Sequence, residues 1–228
     1  IGDQALSANT NSYNTAVGYN CLASNTSGTG NVSVGSFSLD ANTTANDNTA
    51  MGQSALGGNT TGASNTAVGR STLTTNSTGA SNTAIGFNAL VANTTASNNT
   101  AIGSYALLSN TTGTANVAIG NDCMDSNTTG NSNTALGTDA LQANTTATGN
   151  TAVGRSALTT NSTGASLVAM GANAMYANTT GTRNVSVGYS SLESNTTASE
   201  TTAIGWNALK AQTGSGGKNV AVGDSAMI

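Results

Sequence analysis

The apolar residues of this chain recur in a fixed register. Each period contains an apolar residue, a glycine, three further residues and then Leu or Met, and the next period usually begins 17 residues later. From Gly2 to Gly223 the glycines are separated by one step of 16 residues, eleven of 17 and one of 18. A fixed period near this length is typical of solenoids, in which each repeat is one turn that folds only against its neighbours. The sequence therefore predicts a single array of about thirteen turns over residues 1–228.

Two short strands and a two-column core are predicted for each turn. Each glycine follows Thr or Val, then Ala or Ser, then a large apolar residue, as in Thr83-Ala84-Ile85, and this alternation predicts a strand. The glycine ends the strand through a positive φ or a close approach of backbone, and the following Ala-Leu pair predicts a second strand. The expected core is the residue before each glycine and the Leu after it, represented by Val17, Leu22, Val68, Leu73, Ile85, Leu90, Ile102, Leu107, Ile204 and Leu209. The fold class is therefore an all-β parallel solenoid.

Asparagine marks two places in each period. Asn-Thr-Thr-Gly or a near copy fills the second half, as in 59–62, and a second Asn opens most periods, as in Asn65. Asn and Gly favour turns, and identical amides stacked one turn apart form hydrogen-bonded ladders. Leu167 and Thr201 interrupt the second ladder, so we expect its weakest points there. The Asn-Thr-Thr triplets also match the N-glycosylation sequon, and either repeated turn geometry or a glycan coat explains that match.

The composition favours an oligomer. Only 6% of the residues are charged and 4% are aromatic, Pro is absent and there are 28 Gly, so there is little large apolar surface for a thick core. Disorder is the alternative for such a composition, but disorder needs no fixed register of apolar residues. A two-column core is thin against the entropy of ordering a whole turn. We therefore predict a homo-oligomer whose interface runs the full length, with the small Ala/Ser column facing outwards as the contact surface.

Few residues offer reactive chemistry. The net charge of −4 with five basic residues gives no electrostatic footprint for nucleic acid, and no apolar run reaches the length of a membrane span. His is absent, and Ser and Thr lack a neighbouring base. Asp122 and Asp125 come nearest to an acidic cluster, which a weak Ca²⁺ site or solvated turn charges would explain. We expect no enzyme, no cofactor and no metal site.

Two further features fall within the array. Cys21 and Cys123 occupy equivalent places six turns apart, which is too far for a disulfide, and they are expected to be small buried substitutes for Ala. The 18-residue step adds its extra residue within 214–218, a Gly-rich segment that predicts a flexible loop outside the core.

The strand motif resembles a known family. Thr83-Ala84-Ile85-Gly86, Thr202-Ala203-Ile204-Gly205 and their equivalents in every period are similar to the head repeats of YadA-like trimeric autotransporter adhesins. The longer Asn-Thr-Thr-Gly turn looks more like arrays found in phage tail fibres and other viral or bacterial surface fibres. The resemblance covers essentially the whole chain. It implies a left-handed parallel β-roll that packs as a homotrimer.

The expected function is that of a structural and adhesive fibre segment. It would be extracellular, on a cell or virion surface, uncapped at both ends and part of a longer fibre, with itself and a host glycan or protein as partners. A self-assembling extracellular filament and an ice-binding solenoid are the alternatives. Ligand binding is expected where the array varies, just after each glycine, at Tyr19, Phe37, Arg70, Phe87, Tyr105, Arg155, Tyr189 and Trp206.

Overall fold

The computed structural model describes residues 1–213 and 216–227. Gly214 and Ser215, which belong to the predicted loop, and Ile228 lie outside the described residues. The chain divides into two compact units, Ile1–Ala115 and Asn116–Ile228. Each unit is a parallel β-solenoid, and the described residues contain no helix. The predicted fold class is confirmed.

Each turn contributes one strand of three residues. The first unit contains β1 (Thr15–Val17), β2 (Val32–Val34), β3 (Thr49–Met51), β4 (Thr66–Val68), β5 (Thr83–Ile85) and β6 (Thr100–Ile102). The second contains β7 (Val117–Ile119), β8 (Thr134–Leu136), β9 (Thr151–Val153), β10 (Val168–Met170), β11 (Val185–Val187), β12 (Thr202–Ile204) and β13 (Val220–Val222). Equivalent residues pair in parallel, so that Ala67 pairs with Ala84 and Val68 with Ile85. This register places each repeat position in a column along its unit.

The core is made by the Leu column and the Ala/Ser column. Leu90 and Ala84 are completely buried, whereas Ile85 is 37% exposed. The prediction was therefore right for Leu22, Leu73, Leu90, Leu107 and Leu209, and wrong for Val17, Val68, Ile85, Ile102 and Ile204, which lie on the outer face of the sheet. The predicted Ala/Ser contact surface is wrong for the same reason. Successive strand residues point to opposite sides, and the narrow interior, already filled by Leu, admits only a small residue at the centre of the strand.

The predicted second strand is a tight turn. Asn88 and Leu90, two and four residues after Gly86, have φ angles of 56° and 52°, and this left-handed backbone bends too sharply for a strand. The Leu90 N–H still donates to the Ala106 oxygen of the next turn at 3.0 Å. Gly86 itself has a φ of 128°, and a Cβ there would lie 2.5 Å from the Gly103 oxygen. Both predicted reasons for the glycine, positive φ and close backbone approach, are therefore confirmed.

Two asparagine ladders run along most of the turns, one through the Asn of the Asn-Thr-Thr-Gly segment and one through the Asn that precedes the strand. In the first ladder the Asn76 side-chain nitrogen donates to the Asn59 side-chain oxygen at 2.8 Å and to the Gly79 backbone oxygen at 2.9 Å. In the second, the Asn82 backbone N–H donates to the Asn65 side-chain oxygen at 3.0 Å. These side chains are fully buried, so the amides replace water as partners for the turn backbone.

Candidate functional site

The variable side chains stand at one corner of each turn, which we call the glycine corner: the first and second residues after each repeat glycine. Backbone hydrogen bonds stack these corners, since Asn88 N–H donates to the Arg70 oxygen at 3.2 Å and Tyr105 N–H to the Phe87 oxygen at 2.9 Å. The second residue has a positive φ throughout, for example 58° at Phe37 and 61° at Tyr105. The corner therefore displays one or two free side chains per turn on a regular backbone.

The glycine corner gathers six of the eight predicted binding residues into aromatic pairs. Tyr19 with Phe37 and Phe87 with Tyr105 make edge-to-face contacts with ring centroids 5.3 Å apart. Tyr189 and Trp206 are stacked, with centroids 4.4 Å apart and planes inclined by 21°. Aromatic pairs of this kind contribute more stabilisation than the burial of their surface alone would give. Trp206 nevertheless remains 56% exposed. Their role in binding stays a prediction.

The arginines of the corner have different surroundings. The Arg70 guanidinium lies over the Phe87 ring at 5.9 Å, a cation–π geometry. Arg155 is exposed and makes no ion pair with any described residue. The other basic side chains are paired elsewhere: Arg183 with Glu200 at 2.6 Å, Lys210 with Glu193 at 3.2 Å and Lys218 with Glu200 at 3.9 Å.

The acidic and thiol groups do not assemble a centre. No group of three or more His, Cys, Asp or Glu residues that could hold a metal ion occurs in the part of the chain that the structure describes. Burial raises the pKa of the Asp125 carboxyl. Cys21 and Cys123 are free and buried, as predicted, and burial raises the pKa of the Cys123 thiol to about 12, so its reactive thiolate is scarce at neutral pH. Among the described residues no helix has the length and apolar character of a membrane span.

The sequon asparagines are structural. Asn59, Asn110 and Asn178 are fully buried, and the Asn178 amide donates to the Asn161 side-chain oxygen at 2.8 Å and the Gly181 backbone oxygen at 3.2 Å. A glycan on such a nitrogen would remove the ladder bonds and require space inside the turn. Repeated turn geometry therefore accounts for these triplets.

Sequence reasoning missed the outer face of the sheet as a surface. Val17, Met51 and Ile85 are between 37% and 45% exposed, although each was predicted to lie inside. The sequence did contain a signal for this orientation: the middle residue of each strand is always Ala or Ser, whereas the residues on either side of it are larger. The large apolar residue before each glycine was predicted to be buried because the sequence does not show which side of the strand faces the interior.

Fold and side-chain placement together define the class of this protein: a repeat protein built of parallel β-solenoid units with a 17-residue turn, compatible with a β-roll. No protein-family model matches the chain, and no curated protein matches it.

Proposed function

We propose that this chain is a segment of a structural and adhesive surface fibre, related to YadA-like head repeats and assembled as a homotrimer. The observation that carries the proposal is the apolar column that runs without interruption along the outer face of the sheet within each unit. In the first unit this column consists of Val17, Val34, Met51, Val68, Ile85 and Ile102.

This face has the properties of a contact surface between copies. The strands beneath it are in register, as in Ile85 paired with Ile102, so the exposed side chains form straight rows. Soluble monomers rarely expose contiguous apolar patches larger than a few hundred Å². A second and third copy would remove the column from water along its length, and because the same face is used by every copy, a closed symmetric assembly satisfies all of them.

The remaining surface supports an adhesive role. The inner columns and the asparagine ladders join one turn to the next, and they leave the glycine corner free to vary. Aromatic side chains concentrate there in three pairs, together with Arg70 and Arg155. The fibre would thus hold binding residues at a regular spacing outside the cell or virion.

Ile85→Asp tests the assembly. A charge on the outer face would be buried at the interface without a partner, so we expect the variant to be a folded monomer where the wild type is a trimer. Mass photometry reads the mass, and circular dichroism checks that the β-structure is retained. Ser81→Asp is the matched control, because it adds the same charge at an exposed turn position that is occupied by Asp47 two turns earlier. A wild-type chain that is stable, folded and monomeric would contradict the proposal.

An ice-binding solenoid is a second candidate, favoured by one observation. The first strand residue forms a second outer column that contains Thr49, Thr66, Thr83 and Thr100 in successive strands, so hydroxyl groups recur in register once per turn. Val replaces Thr at β2 in this unit and at β7, β10, β11 and β13 in the other, which interrupts the pattern. Thermal hysteresis in freezing solutions, abolished by Thr83→Lys, would support this candidate over the trimer.

A further inference from the structure

In the second unit, the aromatic stack of the glycine corner stops at Ala172, whose side chain is only a methyl group. The glycine corner there runs through Arg155, Ala172, Tyr189 and Trp206 on consecutive turns. Their register is fixed by backbone hydrogen bonds from Asn173 N–H to the Arg155 oxygen and from Ser190 N–H to the Ala172 oxygen, both 3.0 Å, and from Asn207 N–H to the Tyr189 oxygen at 2.9 Å. The Tyr189 and Trp206 rings fill two steps with centroids 4.4 Å apart. Ala172 therefore leaves the next ring position, beside Tyr189, empty. We call this space the open step.

The open step has the thickness of one ring. Adjacent turns of a parallel sheet lie about 4.8 Å apart, so Arg155 and Tyr189, two turns apart, leave roughly 10 Å between their backbone positions. A ring packed at van der Waals distance needs about 3.5–4.0 Å on each side. One face of such a ring would lie on Tyr189, and its other face or its substituent would lie toward Arg155.

The groups around the open step are polar and cationic. Arg155 is exposed and has no ionic partner among the described residues. Asn173, beside Ala172, is half-buried, and no hydrogen bond of its side-chain amide is present in the described structure. A guanidinium binds a carboxylate through two parallel hydrogen bonds, and an amide both donates to and accepts from hydroxyl groups. The site thus combines an apolar ring face, a cation and a hydroxyl-binding amide.

We propose that this step binds one carboxylated pyranose unit of an acidic surface glycan. The apolar face of the sugar stacks on Tyr189, its carboxylate pairs with Arg155, and its hydroxyls bond to Asn173. The inference rests on the proposed function, because a fibre at a cell or virion surface is what would bring such a glycan to the corner.

Titration calorimetry with digalacturonic acid, and with neutral digalactose as its matched probe, tests the charge preference. We expect saturable binding of digalacturonic acid and binding of digalactose that is weaker by about tenfold or more, the usual size of a charge-assisted contact. Arg155→Gln removes this difference. Arg183→Gln, which removes an arginine already paired with Glu200, leaves it unchanged.

Ala172→Tyr tests the open step itself. A ring at 172 would continue the stack that Tyr189 and Trp206 already form, so the variant is expected to keep the fold and to lose digalacturonic acid binding. Gln53→Tyr adds a ring at the equivalent exposed position of the first unit and should bind like the wild type.

Several results would overturn the inference. They are equal affinity for the two sugars, no binding at millimolar sugar, unchanged binding by Ala172→Tyr, and displacement of the sugar by benzoate at equal or lower concentration, which would assign the step to an aromatic anion. Mass photometry on the same samples separates the two proposals. A trimer that binds no acidic sugar contradicts only the inference, whereas a folded monomer contradicts the proposed function.

Discussion

At the scale of the residue, two features require glycine at the repeat position: its own backbone conformation and the closeness of the backbone of the next turn. Gly86 has a φ of 128° and faces the Gly103 oxygen so closely that a Cβ would lie 2.5 Å away. The atom it would meet belongs to the backbone of the next turn, which is held by its own hydrogen bonds. Neither a rotamer change nor a small shift relieves such a contact.

Gly86→Ala is therefore expected to lower the free energy of unfolding by about 3 kcal/mol or more, since backbone strain and overpacking each cost about 1–3 kcal/mol. Urea unfolding followed by circular dichroism measures the loss. Gly57→Ala is the control: its nearest neighbours would be 3.3 Å from the new Cβ, and the equivalent places in other turns carry Ala23 and Thr74. A loss at Gly57 as large as at Gly86 would contradict this account.

The leucine of each turn combines strain with burial. Leu90 and Leu107 have φ angles of 52° and 51°, a left-handed conformation that costs a residue with a Cβ about 1–2 kcal/mol. Full burial of a leucine side chain contributes about 1.5–3 kcal/mol. The two effects are of similar size, so the leucine is stable in this conformation only because it is inside.

At the scale of the element, a three-residue strand offers few hydrogen bonds, and the asparagine ladders add to them. Asn65 accepts from the Asn82 backbone N–H at 3.0 Å and donates to the Gly79 oxygen at 2.9 Å. Leu167 still donates its backbone N–H to Asn150 at 3.0 Å, but it has no side-chain oxygen to continue the ladder. That the ladder is weakest there and at Thr201 stays a prediction.

Asn65→Ala removes these partners from buried groups. We expect a loss of about 2–4 kcal/mol, because a buried donor left unsatisfied costs about 1–3 kcal/mol beyond the lost bonds. Hydrogen exchange should show faster exchange at Asn82 than in the wild type. Asn98→Ala is the control, since Asn98 is exposed and Ala115 occupies the equivalent place one turn later. Equal effects of the two substitutions would show that the ladder adds no stability.

At the scale of the whole molecule, stability is a sum over turns and the contacts between them. Within a unit, each turn contacts the turns before and after it through the same columns, as the pairings of β4 with β3 and β5 illustrate. Removing one complete turn should therefore join equivalent positions and preserve every column.

Deletion of residues 53–69, one period of 17 residues, is expected to leave a cooperatively folded solenoid with a slightly lower unfolding temperature. Deletion of 53–68 places an additional glycine between β3 and the corner, so the Leu column no longer follows the strand at its normal distance and local folding should be lost. Thermal unfolding by circular dichroism compares the two. Similar curves would contradict the importance of the period.

The sequence by itself determined the repeat, the parallel solenoid, the buried Leu column and the asparagine turns. These follow from local chemistry: a period of 17, a glycine with no Cβ to clash, and amides spaced to meet one turn later. It also located the variable positions that include Tyr189, Trp206 and Arg155. It did not reveal which rings form pairs, since corner geometry decides whether neighbouring side chains meet edge to face or stack.

Only the tertiary structure decided which side of the strand is inside. Thr83, Ala84 and Ile85 alternate, and hydrophobicity alone favours an inward Ile. The narrow turn is already filled by Leu90, so Ala84 faces inwards and Ile85 faces outwards. The physical reason is volume. The space inside one turn depends on all the residues that enclose it, and no short stretch of sequence contains that information.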